Sequence, residues 1–394
     1  MSLHEGWVES TLGEVINIQS GKTRPKLKGK YPVYGGNGIL NYANKYNHEM
    51  PTIIVGRVGA YCGNVFIEEE KFWLSDNALG ITSKNENDLQ FIFYKLQNMK
   101  LNNYSIGGAQ PLLTQTLLNE LDIRIPQAPV EQKAIANILS SFDEKIELLK
   151  AQNETLEQMA QGVFREWFVK FNYPNVTGKM VESELGVIPE GWRVDTIDNL
   201  VELIIDYRGK TPKKLGMDWS EKGIPALSAK TIKNGKIVRR DAMNLGSEEL
   251  YHLWMKDELM PKDILLTSEA PLGEMYYLID DKKYILSQRL FALRANDKIS
   301  SEYLYYYLFS RQGQNLLNAR ASGSTVQGIR QSELRKVEVL IPDSKTLEKA
   351  SALFERVFQK INLNENQIQT LQKTRDTLLP KLMSGDVRVK GFGA

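Results

Sequence analysis

Two stretches of the chain carry apolar residues at alternating steps of four and three, the spacing of an α-helix with one buried seam. In the first stretch the seam runs Phe142, Ile146, Leu149, Asn153, Leu156, Ala160, Val163 and Trp167. In the second it runs Phe354, Val357, Ile361, Asn364, Ile368, Leu371, Arg375, Leu378 and Leu382. Pro129 suits a first helical turn and Pro174 stops the first helix, while Ser384-Gly385 closes the second and Pro380 is expected to disturb its last turn. Each helix should then hold about 40 residues and extend roughly 60 Å. A helix of that length overruns a small domain, so each seam is expected to pair with the other helix; packing of each on its own domain is the alternative. An antiparallel pair would set the seam's polar intruders, Asn153 and Asn364, face to face, where a hydrogen bond between them would fix register.

Before each helix lies a longer stretch of short β-like runs, such as Thr52-Ile53-Ile54-Val55 and Asp263-Ile264-Leu265-Leu266, bounded by Gly, Asn and Pro. The two stretches are copies. Gly6-Trp7 returns as Gly191-Trp192, Gly21-Lys22-Thr23 as Gly209-Lys210-Thr211, Phe91–Leu96 as Tyr303–Leu308, and Leu121–Pro126 as Val337–Pro342. The offset grows from 185 (Trp7 to Trp192) to 216 (Leu121 to Val337), so the second copy holds insertions of about thirty residues, mostly around the basic stretch before Arg240. The expected fold is α+β: two mixed α/β domains related by pseudo-twofold symmetry and joined by two long antiparallel coiled-coil helices. Its expected parts are a first domain over 1–129, a helix over 130–171, a linker over 172–190, a second domain over 191–344 and a helix over 345–385.

Composition is that of an ordinary globular protein, with 42% hydrophobic and 25% charged residues, and 394 residues suffice for more than one core. The single cysteine, Cys62, excludes an internal disulfide and any zinc cluster built on cysteines. The start of the chain lacks a signal-peptide pattern and no apolar run approaches the ~20 residues of a membrane span, so a cytoplasmic protein is expected. Net charge is only +2, but its distribution is uneven. Residues 20–30 hold five Lys or Arg and no acid; residues 206–240 hold ten against Asp206, Asp218 and Glu221. Basic runs at matching places in two repeats point to phosphate contacts, the bland alternative being solvated loops.

Catalytic patterns fail. The repeated Gly-Lys-Thr has Ile16 and Ile204 where a phosphate loop needs its first glycine. His4, His48 and His252 are scattered without metal-ligand spacing. Glu131-Gln132-Lys133 has a Glu-x-Lys form found in some nucleases, but it lies at a helix start without a nearby aspartate and is read as capping charge. An Asn-Pro-Pro-Tyr or Asp-Pro-Pro-Tyr type motif for amino methylation is absent. No metal site and no catalytic residue are expected.

Pro189-Glu190-Gly191-Trp192 opening a repeat, Ala128-Pro129-Val130-Glu131-Gln132 opening a helix, Phe164-Arg165-Glu166-Trp167-Phe168 near its end and Leu378-Leu379-Pro380-Lys381-Leu382-Met383-Ser384-Gly385 closing the second helix all resemble the specificity subunits of type I restriction-modification enzymes. Tyr31-Pro32-Val33-Tyr34-Gly35-Gly36-Asn37-Gly38 is similar to a stretch of one group of their recognition domains. The resemblance covers essentially the whole chain. It implies two target-recognition domains, each reading one half of a split, asymmetric site in double-stranded DNA. It also implies helices that act as a ruler and dock two adenine methyltransferase subunits, and through these the restriction and motor subunits. S-adenosylmethionine, ATP and magnesium would then belong to the partners. A coiled-coil scaffold that never touches DNA is the main rival.

For phosphate or groove contact the candidates are Lys22, Arg24, Lys26 and Lys28, then Arg208, Lys210, Lys213, Lys214, Lys233 and Lys236. For base reading they are Asn37, Arg57, Asn77 and Gln110, then Arg239, Gln288, Arg289 and Gln327, because Arg, Asn and Gln can make paired hydrogen bonds to purine edges. The aromatic group Phe164, Trp167, Phe168 and Phe171 is a candidate partner interface, with packing on the neighbouring domain as its alternative.

Overall fold

The computed structural model describes residues 6–108, 110–323, 326–389 and 391; the chain start with His4 lies outside them. By its internal contacts the chain forms two compact units, Met1–Leu149 with Gln367–Ala394, and Lys150–Asn366. Each unit holds one recognition-type domain together with half of each long helix.

In the first unit the strands are β1 (Trp7–Thr11), β2 (Ile16–Ser20), β3 (Lys28–Gly35), β4 (Gly38–Ala43), β5 (Thr52–Gly56), β6 (Val65–Glu68), β7 (Trp73–Leu74), β8 (Ala78–Ser83) and β9 (Asp122–Pro126). They form a sheet of order β2-β8-β5-β6, a second of order β4-β3-β7 with β3 parallel to β7, and a ribbon of β1 with β9. Side chains alternate across the central strands. Ile53, Val55, Leu79 and Ile81 enter the main core beneath the helix Leu89–Met99, while Ile54 and Ala78 enter a small core with Tyr34 and Phe72. Burial on both faces explains why β5 reads as an unbroken apolar run.

In the second unit a hairpin of β10 (Met180–Ser183) and β11 (Gly186–Pro189) precedes β12 (Arg193–Thr196). Then follow β13 (Val201–Asp206), β14 (Ile224–Leu227), β15 (Ile232–Lys233), β16 (Lys236–Ile237), β17 (Leu245–Gly246), β18 (Ile264–Thr267), β19 (Met275–Tyr277), β20 (Ile285–Leu286), β21 (Leu290–Ala295) and β22 (Glu338–Ile341). The plan is that of the first unit strand for strand: β13-β21-β18-β19, then β17-β14-β20 with β14 parallel to β20, and a β12-β22 ribbon. The helix Ser301–Phe309 follows β21 as Leu89–Met99 follows β8. Both helices begin on the same kind of cap: the Asp88 carboxylate accepts from Phe91 N and the Ser300 hydroxyl from Tyr303 N. The extra residues of this copy lie between β13 and β14 and between β14 and β17, where the added hairpin β15-β16 sits.

The first long helix runs Pro129–Phe164 and continues as a π-helical turn, Arg165–Val169; the second runs Ser344–Ser384. Each seam does two jobs. In the first unit Ile135, Ala136 and Leu139 pack into the domain core beside Leu382 and Met383 of the second helix, whereas Ile146 and Leu149 pack against Ile368 and Leu371. Arg375 pairs with Asp143 across the same antiparallel seam. In the second unit Asn153 meets Asn364, while Ala160 and Phe164 join Phe354 and Phe358 in the domain core. The ends of the seams thus serve the domains and the middle serves the partner helix, so both sequence alternatives hold, at different heights.

The second helix closes at Ser384, as expected, with Pro380 inside it; Leu382 and Met383 beyond the proline are buried and the Lys95 ammonium donates to the Met383 carbonyl at 2.9 Å. Phe164 and Phe168 are 3% and 1% exposed, in ring contact with Tyr303, Trp192 and Phe354, so they form core and offer a partner nothing. Trp167 and Phe171 are partly buried against the same core. Glu131 is the acid of the first helical turn, as its reading as a capping charge expects, but it is also buried and paired: it is 3% exposed, accepts from Arg388 at 2.7 and 2.9 Å and from the Trp7 indole at 3.4 Å. No helix among the described residues is long and apolar enough to cross a membrane.

Candidate nucleic-acid interface

The base-reading candidates of the first unit come from four segments that the backbone gathers at one end of the sheets. Arg57 leaves the end of β5 and its N–H donates to the carbonyl of Asn77, just before β8, at 3.0 Å. The carbonyl of Arg57 in turn accepts from Leu113 N at 2.9 Å, and Gly59 N donates to Pro111 O, which fixes the loop that carries Gln110. Asn37 tips the β3-β4 hairpin, whose approach requires glycine. A Cβ on Gly56 would lie 3.0 Å from the Gly36 Cα and 2.2 Å from the Tyr61 carbonyl oxygen. The Gly35-Gly36-Asn37-Gly38 sequence therefore serves to bring a loop onto a strand end. Asn37, Asn77 and Gln110 are exposed and Arg57 is half-buried.

Basic residues flank this end. Lys22 bridges β7 through its backbone, with Lys22 N to Leu74 O at 3.0 Å and Asp76 N to Lys22 O at 3.1 Å, which sets it beside the Asp76-Asn77 turn. Lys22, Arg24, Lys26 and Lys28 are all exposed. The arrangement offers exposed cations for phosphates next to amide and guanidinium groups of the kind that read base edges.

The second unit repeats the framework with other side chains. Ser268 N donates to Arg289 O at 2.8 Å and Ile329 N to Ser268 O at 2.9 Å, the counterparts of the Arg57–Asn77 and Leu113–Arg57 bonds. Gln327 precedes Gly328, which bridges Glu269. Lys213, Arg239, Gln288 and Arg289 share one cleft of about 630 Å³ whose walls include Trp219 and Lys230. Arg239 and Arg289 hold positive φ angles of 53° and 64°, in a region that side chains of their size rarely adopt. Such strain persists where surrounding structure imposes it and clusters at functional sites.

Not every predicted cation is free. Arg208 makes a bidentate pair with Asp206 at 2.8 Å, donates to Ile329 O and lies over the Phe291 ring at 4.0 Å, so it is a packing residue of this domain. Lys210 donates to the Trp254 carbonyl at 2.6 Å over the Tyr207 ring, and burial pushes its pKa down, with nearby Lys256 adding to the effect. Lys214 donates to Gly209 O at 2.7 Å. Lys213, Lys233 and Lys236 stay exposed, the last two on either side of the β15-β16 turn. Sequence reasoning missed Lys230, Trp219 and Glu269, the carboxylate 3.0 Å from Arg289 Nε. A basic residue between Ala229 and Thr231 was legible as part of the charged stretch; the Glu269–Arg289 pair, joined across neighbouring strands, left no sequence signal.

Among the described residues no group of three or more His, Cys, Asp and Glu is placed to hold a metal ion.

The asparagines of the helix seam hydrogen-bond directly, Asn364 Nδ2 to Asn153 Oδ1 at 2.7 Å, with further bonds from Asn364 Nδ2 to Gln152 and from Asn153 Nδ2 to Glu365. Both side chains are buried.

The chain is similar over 96% of its length to the crystal structure of a type I restriction-modification system S subunit from M. genitalium, of which it covers 96%, with a TM-score of 0.62 at 19% identity. It is 28% identical over 314 residues to the type I restriction enzyme MjaIX specificity subunit of Methanocaldococcus jannaschii, covering 76% of this chain and 69% of that protein. To the MjaVIII specificity subunit of the same organism it is 26% identical over 417 residues, covering 98% and 94%. The family model of the type I restriction modification DNA specificity domain matches residues 4–158 and 189–373, one match per repeat. A duplicated fold and a duplicated family match meet in the same residues: the chain belongs to the type I restriction modification DNA specificity domain family.

Proposed function

We propose that this chain is the DNA-reading, non-catalytic subunit of a type I restriction-modification complex in a prokaryotic cytoplasm. Each domain reads one half of a split, asymmetric site in double-stranded DNA. The long helices carry the spacing and dock two methyltransferase subunits, through which restriction and motor subunits join. S-adenosylmethionine, ATP and magnesium act in those partners. One observation carries the reading: two domains with the same sheet order present different side chains on the same strand ends. A shared framework with exchanged contact residues is what reading two different half-sites requires. A scaffold that never met DNA would have no use for exposed Lys22, Arg24, Lys26 and Lys28 beside that end.

Duplex binding by the full chain, measured against salt concentration, tests this. Each lysine that neutralises a phosphate contributes a slope of about −0.9 to log K against log salt. Lys22→Ala and Lys26→Ala together are expected to flatten the slope by up to about 1.8, whereas Arg208→Ala leaves the slope unchanged and lowers stability. Binding that ignores salt, or no binding, would favour the scaffold.

A further inference from the structure

The two domains differ most informatively where their frameworks agree. Arg57 in the first and Ser268 in the second each follow the second strand of the central sheet pair, and Asn77 and Arg289 each precede the strand beside it. Each domain therefore sets one guanidinium on this strand-end ledge, but from opposite members of the same backbone-bonded pair. Ser268 is 1% exposed and too short to reach out, which leaves Arg289 as the long donor there.

The two guanidinium groups are prepared differently. Arg289 Nε sits 3.0 Å from the Glu269 carboxylate, and Arg289 remains half exposed. A carboxylate beside Nε favours one orientation of the planar fork and leaves the two terminal nitrogens as a paired donor. Glu269 does not line the cleft itself, whose walls carry Asp218 among Lys213, Lys230 and Arg239; its carboxylate lies against Nε of Arg289, where it braces that side chain. Arg57 has no such brace: its buried Nε makes no hydrogen bond among the described residues. Arg57 thus reaches the ledge without a protein acceptor at Nε, where Arg289 has Glu269.

We infer that Arg57 and Arg289 are the specificity-determining residues of the two half-sites, each reading a guanine through its O6 and N7 acceptors in the major groove. Because the two side chains rise from neighbouring strands, the guanine takes a different position within each half, and the whole site is asymmetric. Glu269 is a positioning residue that acts through Arg289. The inference rests on the DNA-reading function proposed above and names the chemistry of its site.

Selection of bound duplexes from a random-sequence pool by the full chain in complex with its methyltransferase subunit tests this. The wild type, Arg57→Lys, Arg289→Lys and Glu269→Gln are compared, each first checked for unfolding temperature. Lysine keeps the charge but lacks the fork, so salt-sensitive affinity should persist. Arg57→Lys is expected to lower the preference at one G·C pair of one half by about 5- to 150-fold, and Arg289→Lys to do so at one G·C pair of the other half only. Glu269→Gln should weaken the Arg289 position alone. An unchanged motif, relaxation at an A·T pair, or a uniform loss at all positions overturns the assignment. A wild type that enriches no sequence overturns the DNA-reading function instead, so the two failures are distinguishable.

Discussion

Arg388 and Glu131 show how much a single buried pair can hold. Glu131 is almost wholly enclosed, and its carboxylate depends on two hydrogen bonds from Arg388 and one from Trp7. Arg388→Ala leaves a buried charge without its counter-ion, which costs about 3–5 kcal/mol. Adding Glu131→Gln should recover part of that loss in thermal unfolding; a double variant as unstable as the sum of the singles would contradict the pairing. Glu157 gives a pH-dependent counterpart. It accepts from Tyr306 and Gln161, and burial pushes its pKa above the usual carboxylate range despite those bonds and nearby Lys236. A carboxyl that binds its proton more tightly folded than unfolded takes stability away as pH rises from the unfolded value through the folded one. Glu157→Gln is therefore expected to gain on the wild type in unfolding temperature between mildly acidic and neutral pH, and to show no further change in that difference below the ordinary Glu pKa. Neither residue announces itself in sequence, where Glu131 reads as a helix-start charge and Glu157 as one acid among many on a long helix.

At the scale of elements, the long helices were the most legible part of the chain because a seam of four-three spacing is a local pattern. What the pattern hides is that the seam changes partner along its length. Ile146 and Ala160 occupy equivalent-looking positions, yet one meets the other helix and the other meets a domain core. The aromatic group near Phe164 was left open between a partner interface and packing on the neighbouring domain for the same reason, since exposure depends on Tyr303 and Phe354, which lie far away in sequence. Phe164→Ala should cost about 3–5 kcal/mol. An exposed interface residue would leave stability unchanged, so thermal unfolding of this one variant separates the two readings. For the seam, Asn364→Leu leaves the buried Asn153 Oδ1 without its donor, while Asn153 Nδ2 keeps Glu365. The double variant Asn153→Leu with Asn364→Leu removes both and is expected to be more stable than Asn364→Leu, with a coupling of about 0.5–3 kcal/mol. Additive losses would show that the 2.7 Å bond contributes nothing to the pair.

At the scale of the whole molecule, the duplication was readable from Gly-Trp, Gly-Lys-Thr and the strand before each helix, but the identity of sheet order was not. It rests on non-local pairings such as β3 with β7 and β14 with β20, which no short motif encodes. Residue type and place picked out Asn37, Arg57, Asn77 and Gln110, which the backbone gathers at one end of the sheets. Sequence could not tell which cations the fold itself consumes: Arg208 and Lys210 look like Lys213 until Phe291 and the Trp254 carbonyl are in position. The central claim is that each domain reads its own half of one split site. Mapping of methylated adenines in DNA treated with the reconstituted methyltransferase complex and S-adenosylmethionine tests it most directly, with residues 1–129 or 180–344 exchanged for those of a relative. The account predicts a bipartite motif in which each exchange rewrites one half and leaves the other intact. A motif that changes in both halves on either exchange, or that survives both exchanges unaltered, would contradict it.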